Sequence, residues 1–455
     1  MNRFLIVSCI AAIAFIGCAA RAADAADAKP LMRQFMGING HTIQFDAELY
    51  APLCRLVRDY HGIGWDLGDD SSSDTTFPLS RNEIGWKDQS GRFRSHQGRV
   101  NWLELYGDWQ KHGFEIDACL MLGGYTIDRW KNPADDAYKY GKAFAEFFGP
   151  SGKQKLTTSI EIGNEPAGNK RFSDDDYMTI FRNMARGIRE GDPKLTILTC
   201  TAAVNPGPYS KDVNLFKDTP DLYDVINVHK YAQTQGWPTW QRTFPEDATF
   251  NYLGIIQATI DWRNANAPGK QVWLTEFGYD AATQSPPATG TFAKWVGVTD
   301  AQQAQWIVRS FLCFAAIDLD RAYLYWFNDG DAPSVHAASG VTRNYQPKPS
   351  YFAMRHLYQS LGDYRFARAV QQGNANVYVY EFIHGSTPAK RIWAVWSPTG
   401  SDRQTTVDLT LPGRMVKAES MPPANGPAPR AKIKRLPNNN VQLTITESPT
   451  YLWIE

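Results

Sequence analysis

Two glutamates, Glu165 and Glu276, each stand at the end of an apolar run. The first falls in Ser159-Ile160-Glu161-Ile162-Gly163-Asn164-Glu165-Pro166 and the second in Val272-Trp273-Leu274-Thr275-Glu276-Phe277-Gly278. A short buried strand that stops at a carboxylate followed by a turn residue offers that carboxylate at a strand end. In a parallel barrel, all such ends share one mouth. Two carboxylates meeting there are the minimum equipment for breaking a glycosidic bond. One must hold a proton for the leaving oxygen, and the other must stay ionised. Asn164 is placed to hydrogen-bond a sugar 2-hydroxyl. Arg58, in Val57-Arg58-Asp59-Tyr60-His61 at an earlier strand end, is placed to donate to Glu276 and keep it charged.

The elements that would position these residues alternate along the chain. Strand-like runs cover Phe35–Asn39, Leu53–Tyr60, Phe114–Leu122, Thr158–Glu165, Leu195–Thr201, Asp224–Tyr231, Gln271–Glu276 and Arg321–Phe327. Helical patterns fill the gaps, with start signals at Ser173, at Thr299 (Gln302 completing a capping box) and at Lys348-Pro349-Ser350. Repeated β/α units of this kind predict an α/β fold, a (β/α)8 TIM barrel, over residues 30–362. Insertions are expected at 68–98, 206–221, 232–248 and 281–298. Trp130, Trp237, Trp240 and Trp295 fall in loops on the mouth side, as sugar contacts or as loop packing. Beyond Gly362 the apolar period becomes two, with strands predicted over 377–382, 391–396, 405–411 and 441–445. Residues 363–455 therefore read as a small antiparallel β-sandwich.

These residues carry a resemblance. Gly163-Asn164-Glu165-Pro166 is similar to the acid/base motif closing strand four of clan A glycoside hydrolases, and Thr275-Glu276-Phe277-Gly278 to that clan's nucleophile motif closing strand seven. The resemblance implies a retaining glycosidase with Glu165 as acid/base and Glu276 as nucleophile. Val228-His229-Lys230-Tyr231 resembles the strand-six His-x-Tyr element, which implies contact of Tyr231 with the nucleophile. Tyr325-Trp326-Phe327-Asn328 resembles the strand-eight segment whose tryptophan floors the reacting-sugar subsite. It spans the barrel and is nearest to family 39 and bacterial exopolysaccharide hydrolases of that type. Gly163 stands where the clan often has an aromatic, a departure that bears on substrate rather than on the catalytic groups.

Each motif has a plainer reading. Asn-Glu-Pro alone is equally a strand ending at a turn, Arg58 a barrel-end ion-pair partner and His229 a satisfied core histidine. The two glutamate motifs in order, three β/α units apart, favour catalysis. Two carboxylates and water suffice, so no cofactor or metal is implied. The acidic run at 69–74 lacks the alternate-position acids and glycine of an EF-hand loop and reads as solvated. The expected partner is a polysaccharide or oligosaccharide, cleaved from within. The alternatives are an exo-acting, xylosidase-like β-glycosidase and a carbohydrate-binding barrel without turnover, although mere binding has no need of both acids.

Composition narrows the rest. Lys+Arg and Asp+Glu both total 47, so zero net charge gives no reason to expect nucleic acid as a partner. Residues 1–22 read as a signal peptide: Arg3, an apolar stretch from Phe4 to Ile16, and an Ala20-Arg21-Ala22 cleavage site. A competing lipoprotein-type box, Phe15-Ile16-Gly17-Cys18, would leave a lipid anchor at Cys18. Either way the mature chain is expected outside the cytoplasm, periplasmic or extracellular. The other cysteines, Cys54, Cys119, Cys200 and Cys313, show no C-x-x-C spacing and read as buried thiols.

Overall fold

The computed structural model describes residues 29–455, apart from 86, 88–94, 97, 169–170 and 375. The signal-segment and Cys18 readings lie outside the described residues. Eight parallel strands close into a barrel: β1 (Met36–Asn39), β2 (Leu56–His61), β3 (Glu115–Leu120), β4 (Ser159–Glu161), β5 (Thr196–Ala203), β6 (Val225–His229), β7 (Gln271–Phe277) and β8 (Arg321–Leu324). Each pairs with its sequence neighbours, and β8 closes on β1 through Met36 opposite Ala322. Strands β1, β2 and β6 are buried along their whole length, as expected where helices cover one face and the barrel core the other.

Among the described residues, six helices of ten residues or more lie outside the strands: α1 (Trp102–Lys111), α2 (Pro133–Phe148), α3 (Asp174–Gly191), α4 (Tyr252–Asn266), α5 (Asp300–Ala316) and α6 (Pro349–Leu361). The start signals act as read. The Ser173 hydroxyl accepts from the Asp176 amide, and Thr299 with Gln302 forms a capping box. Two units depart from a full helix. After β1 there is a single turn, Ala47–Tyr50, capped by Asp46. Between β5 and β6 come a two-residue strand, Lys211–Asp212, and the 3-10 turns Val213–Phe216 and Pro220–Leu222 in place of an α-helix. Pro206, Pro208 and Pro220 deny that stretch the amide donors a helix needs.

Past α6 come eight antiparallel strands, twice the number expected. They are β9 (Tyr364–Gln371), β10 (Tyr378–His384), β11 (Arg391–Trp396), β12 (Thr405–Thr410), β13 (Met415–Ser420), β14 (Ile433–Arg435), β15 (Asn440–Ile445) and β16 (Thr450–Ile454). They form a five-stranded sheet in the order β9-β10-β11-β16-β13 and a three-stranded sheet in the order β12-β15-β14. Strand alternation splits the larger sheet's side chains. Val379, Trp393, Val395 and Leu452 face the smaller sheet, while Tyr380, Ala394, Trp396 and Tyr451 join the barrel's own core. Cys54, Cys119, Cys200 and Cys313 are buried and unpaired. Among the described residues, no helix is long and apolar enough to cross a membrane.

Candidate active site

Arg58 organises the barrel mouth from β2. Its side chain is wholly buried, and its nitrogens contact residues of five other strands, β1, β3, β4, β6 and β7. Nε and Nη2 grip Glu161 bidentately at 2.7 and 2.8 Å, the fork geometry that a guanidinium matches best. Nη1 donates to Asn39 Oδ1 at 2.9 Å and to Glu276 Oε1 at 3.0 Å, and Nη2 to Asn164 Oδ1 at 2.8 Å. The Asn39 amide reaches in turn to the Thr275 carbonyl at 2.9 Å, tying β1 to the residue before Glu276. With its oxygen held by Arg58, Asn164 keeps its amide hydrogens for the cavity it lines.

Glu276 is re-aimed by a register shift between Leu274 and Glu276 in the pairing of β7 with β6, an irregularity typical of strand ends that present a side chain to a site. Besides Arg58 it accepts from Tyr60 Oη at 2.6 Å on Oε1 and from Tyr231 Oη at 2.9 Å on Oε2. Burial pushes its pKa upward. The His229 ring, the Arg58 guanidinium and the Tyr60 and Tyr231 hydroxyls outweigh burial and leave the carboxyl at about 2. It is thus ionised throughout the ordinary pH range.

Glu165 is set differently. The ladder of β4 ends at Glu161, and Gly163 then adopts φ +92° to turn the chain toward the mouth. A side chain at that position would be strained, and its Cβ would meet Leu122 Cδ1 at 3.1 Å. The glycine that departs from the clan pattern is therefore required by the backbone. Glu165 is partly open to solvent, and its Oε1 lies 3.1 Å from His229 Nδ1. His229 Nε2 lies 3.4 Å from Arg58 Nη2, whose two hydrogens already serve Glu161 and Asn164. His229 Nδ1 also lies 3.6 Å from Glu276 Oε2. One oxygen of Glu165, one of Glu276 and a His229 nitrogen all fall within 4.8 Å of one another. Such a trio has the reach to hold a cation, but Glu276 already takes three donors, one of them a guanidinium, and that charge opposes a metal ion there.

All seven residues singled out in the sequence converge on this mouth. Trp326 and Tyr325 extend past β8 as parallel rings 5.0 Å apart, and both line a cavity of about 340 Å³ with Asn164, Glu165, Glu276 and Tyr231. The sequence reading missed Glu161, Asn39, Tyr60 and His336. Tyr60 carried a signal: it lies two residues after Arg58 and so on the same strand face. His336 comes from the loop after β8, packs its ring 4.7 Å from that of Tyr231, and has no local pattern to announce it. The loop tryptophans divide. Trp130 and Trp295 are buried packing residues, contrary to a sugar-contacting role. Trp237 is 75% exposed, and Trp240 lines a second cavity beyond Glu165.

The profile of the cellulase family (glycosyl hydrolase family 5) matches residues 120–311, which include both glutamates. The fold is similar to a family 39 glycoside hydrolase from Bacteroides cellulosilyticus, with a TM-score of 0.66 and 16% identity over 94% of this chain and 82% of that one. The protein is a glycosidase built on a clan A barrel. A family 51 α-L-arabinofuranosidase from Bifidobacterium longum aligns with a TM-score of 0.61 at 11% identity, over 94% of this chain and 97% of that one. A family 30 subfamily 8 xylanase from Clostridium acetobutylicum aligns at 0.56 and 12%, over 94% of the glycosidase and 98% of the xylanase. No curated protein matches the chain by sequence.

Proposed function

We propose that the glycosidase works by double displacement with retention, Glu276 being the nucleophile and Glu165 the acid/base. The observation that carries this is the pair itself. Their oxygens approach within 4.8 Å, in keeping with the carboxyl separation of about 5–5.5 Å in retaining enzymes rather than the ~6.5–9.5 Å that leaves room for water. The donors divide the roles. Glu276, held ionised by two phenols and a guanidinium, attacks the anomeric carbon through Oε2, its less heavily bonded oxygen. Glu165, beside the His229 imidazole and open to solvent, protonates the departing oxygen. It then takes a proton from the water that displaces Glu276 from the glycosyl-enzyme. Trp326 floors the reacting sugar, and Asn164 meets its 2-hydroxyl.

The substrate is a polysaccharide or oligosaccharide cleaved within the chain, on the proposal that the second cavity beyond Glu165 holds further sugar. Export, free after Ala22 or lipid-anchored at Cys18, rests on the N-terminal sequence and is tested by the mass of the mature N terminus. For the mechanism, a 2-deoxy-2-fluoro glycoside should leave its sugar on Glu276, located by peptide mass spectrometry, and proton NMR should show the first product anomer matching the substrate. Label on another residue, or an inverted first product, overturns the assignment. Release of monosaccharide alone from an oligosaccharide ladder overturns action within the chain.

A further inference from the structure

The two cavities at the mouth meet at Glu165, Tyr231 and His336, yet only the smaller reaches Glu276. In double displacement the attacked sugar must touch the nucleophile, while the leaving group extends past the acid. The larger cavity, of about 520 Å³, is therefore on the leaving-group side, a placement that rests on the roles proposed above. Tyr209, 54% exposed, and Trp240 offer flat rings at its walls, and Asn205 and Gln233 offer amides.

Among the described residues, Glu165 is the cavity's only lining carboxylate and Lys230 its only lining Lys or Arg. Lys230 directly follows β6 and has a fixed backbone: its amide donates to the Glu276 carbonyl at 3.0 Å, and its own carbonyl accepts from Tyr252 Oη at 2.8 Å. The side chain is half-buried. Its Nζ lies 5.9 Å from the Phe250 ring centroid and pairs with no carboxylate among the described residues. Burial lowers its pKa, as expected of an ammonium stripped of water without a counter-charge. Among the described residues, the two buried lysines are treated otherwise: Lys211 meets Asp174 at 2.6 Å and Lys348 meets Asp329 at 3.1 Å. A partly desolvated cation lining a sugar-sized space gains most from an anion that arrives with the ligand.

We infer that the cavity beyond Glu165 is a leaving-group subsite for a carboxylated sugar, a hexuronic acid, whose carboxylate pairs with Lys230. The preferred substrate is then an acidic polysaccharide. A neutral sugar would occupy the same space against an unpaired ammonium and bind less well.

Calorimetry on the full chain tests this with three probes: a tetrasaccharide carrying glucuronic acid, the same compound with that carboxyl reduced to the alcohol, and an analogue bearing sulfate there. The acidic form should bind about tenfold more tightly than the reduced one, the return on one charge-assisted hydrogen bond. The margin should shrink with added salt, vanish in Lys230→Met and partly survive in Lys230→Arg, with circular dichroism reporting the fold of each. Equal affinity for acid and alcohol, binding of neither, or a preference unchanged in Lys230→Met overturns the proposal. Tighter binding of the sulfate overturns the assignment to a uronic acid. Because the readout is binding, it is separable from the trapping experiment on Glu276, which tests the catalytic roles.

Discussion

Arg58 Nη1 donates to Glu276 Oε1 at 3.0 Å from a guanidinium whose other edge is locked by Glu161. The nucleophile's charge is thus set by a cation that cannot swing away. Replacing Glu276 by Gln keeps the shape and removes the negative charge, so the Glu276→Gln enzyme should lose turnover by about three orders of magnitude or more. Glu165→Gln should lose it too for natural glycosides, but far less for aryl glycosides whose leaving group needs no proton. Steady-state rates on both substrate classes separate the roles, and comparable losses on both would contradict the assignment.

Tyr60→Phe and Tyr231→Phe each delete one donor to Glu276. A hydrogen bond to a charged group is worth about 1.5–3 kcal/mol, so kcat/KM should fall roughly tenfold to a hundredfold. The pH profile gives the sign. The folded value of about 2 lies below the ordinary 4.5, so the active carboxylate is lost only as pH falls through about 2. Losing either hydroxyl moves the acid limb of kcat/KM to higher pH. A fall in rate with an unmoved limb would assign the phenols to sugar binding instead.

Removing Arg58 strands Glu161 as a buried charge. Arg58→Met should therefore cost about 3–5 kcal/mol of stability, measured by denaturant titration. Arg58→Met combined with Glu161→Met should recover much of that loss without restoring activity, because Glu276 would still lack its cation. A double variant no more stable than the single one would show that the pair is not the source of the cost.

Asp117 lies on β3 inside the barrel, beside the Ser159 hydroxyl. Burial and the neighbouring charge of Glu161 outweigh the pull of Arg58 and raise it to about 7. Since its folded value lies above its unfolded one, the favourable contribution is complete below about pH 4 and is lost as pH rises through about 7. Asp117→Asn should flatten stability across that window and be the more stable form by a few kcal/mol (order of magnitude) above it. Chemical denaturation at several pH values checks this, and parallel curves for the two proteins would refute it.

The two glutamates were legible because each closes an apolar run with a turn residue, and Arg58 because it interrupts one. Glu161 was hidden for the same reason in reverse: inside Ile160-Glu161-Ile162 it reads as strand alternation, and only barrel closure shows that its face holds Arg58. Trailing strands β9 and β13 escaped because, Met415 apart, none of their side chains is buried, so they lack the apolar period of β10 and β11. The depths of Trp130 and Trp295 depend on loop paths that no local period encodes.

Glu246, in the loop before α4, reaches across to the trailing sheets. It accepts from Trp396 Nε1 at 2.6 Å and from Arg309 Nε at 2.9 Å, and Arg309 Nη1 donates on to the Thr399 carbonyl at 2.8 Å. Around this pair the barrel and the larger trailing sheet share one apolar core. Glu246→Ala leaves the buried Arg309 guanidinium with only Glu447, 3.9 Å away, as a carboxylate partner and should cost up to about 3–5 kcal/mol. Trp396→Phe keeps most of the ring and removes one donor, so about 1–3 kcal/mol is expected. The two losses should fall short of additive, since they share one carboxylate. A shared core also requires both parts to melt together, so calorimetry should give one transition for the wild type. Two resolved transitions would mean that barrel and sheets fold independently and that Glu246 only decorates their junction.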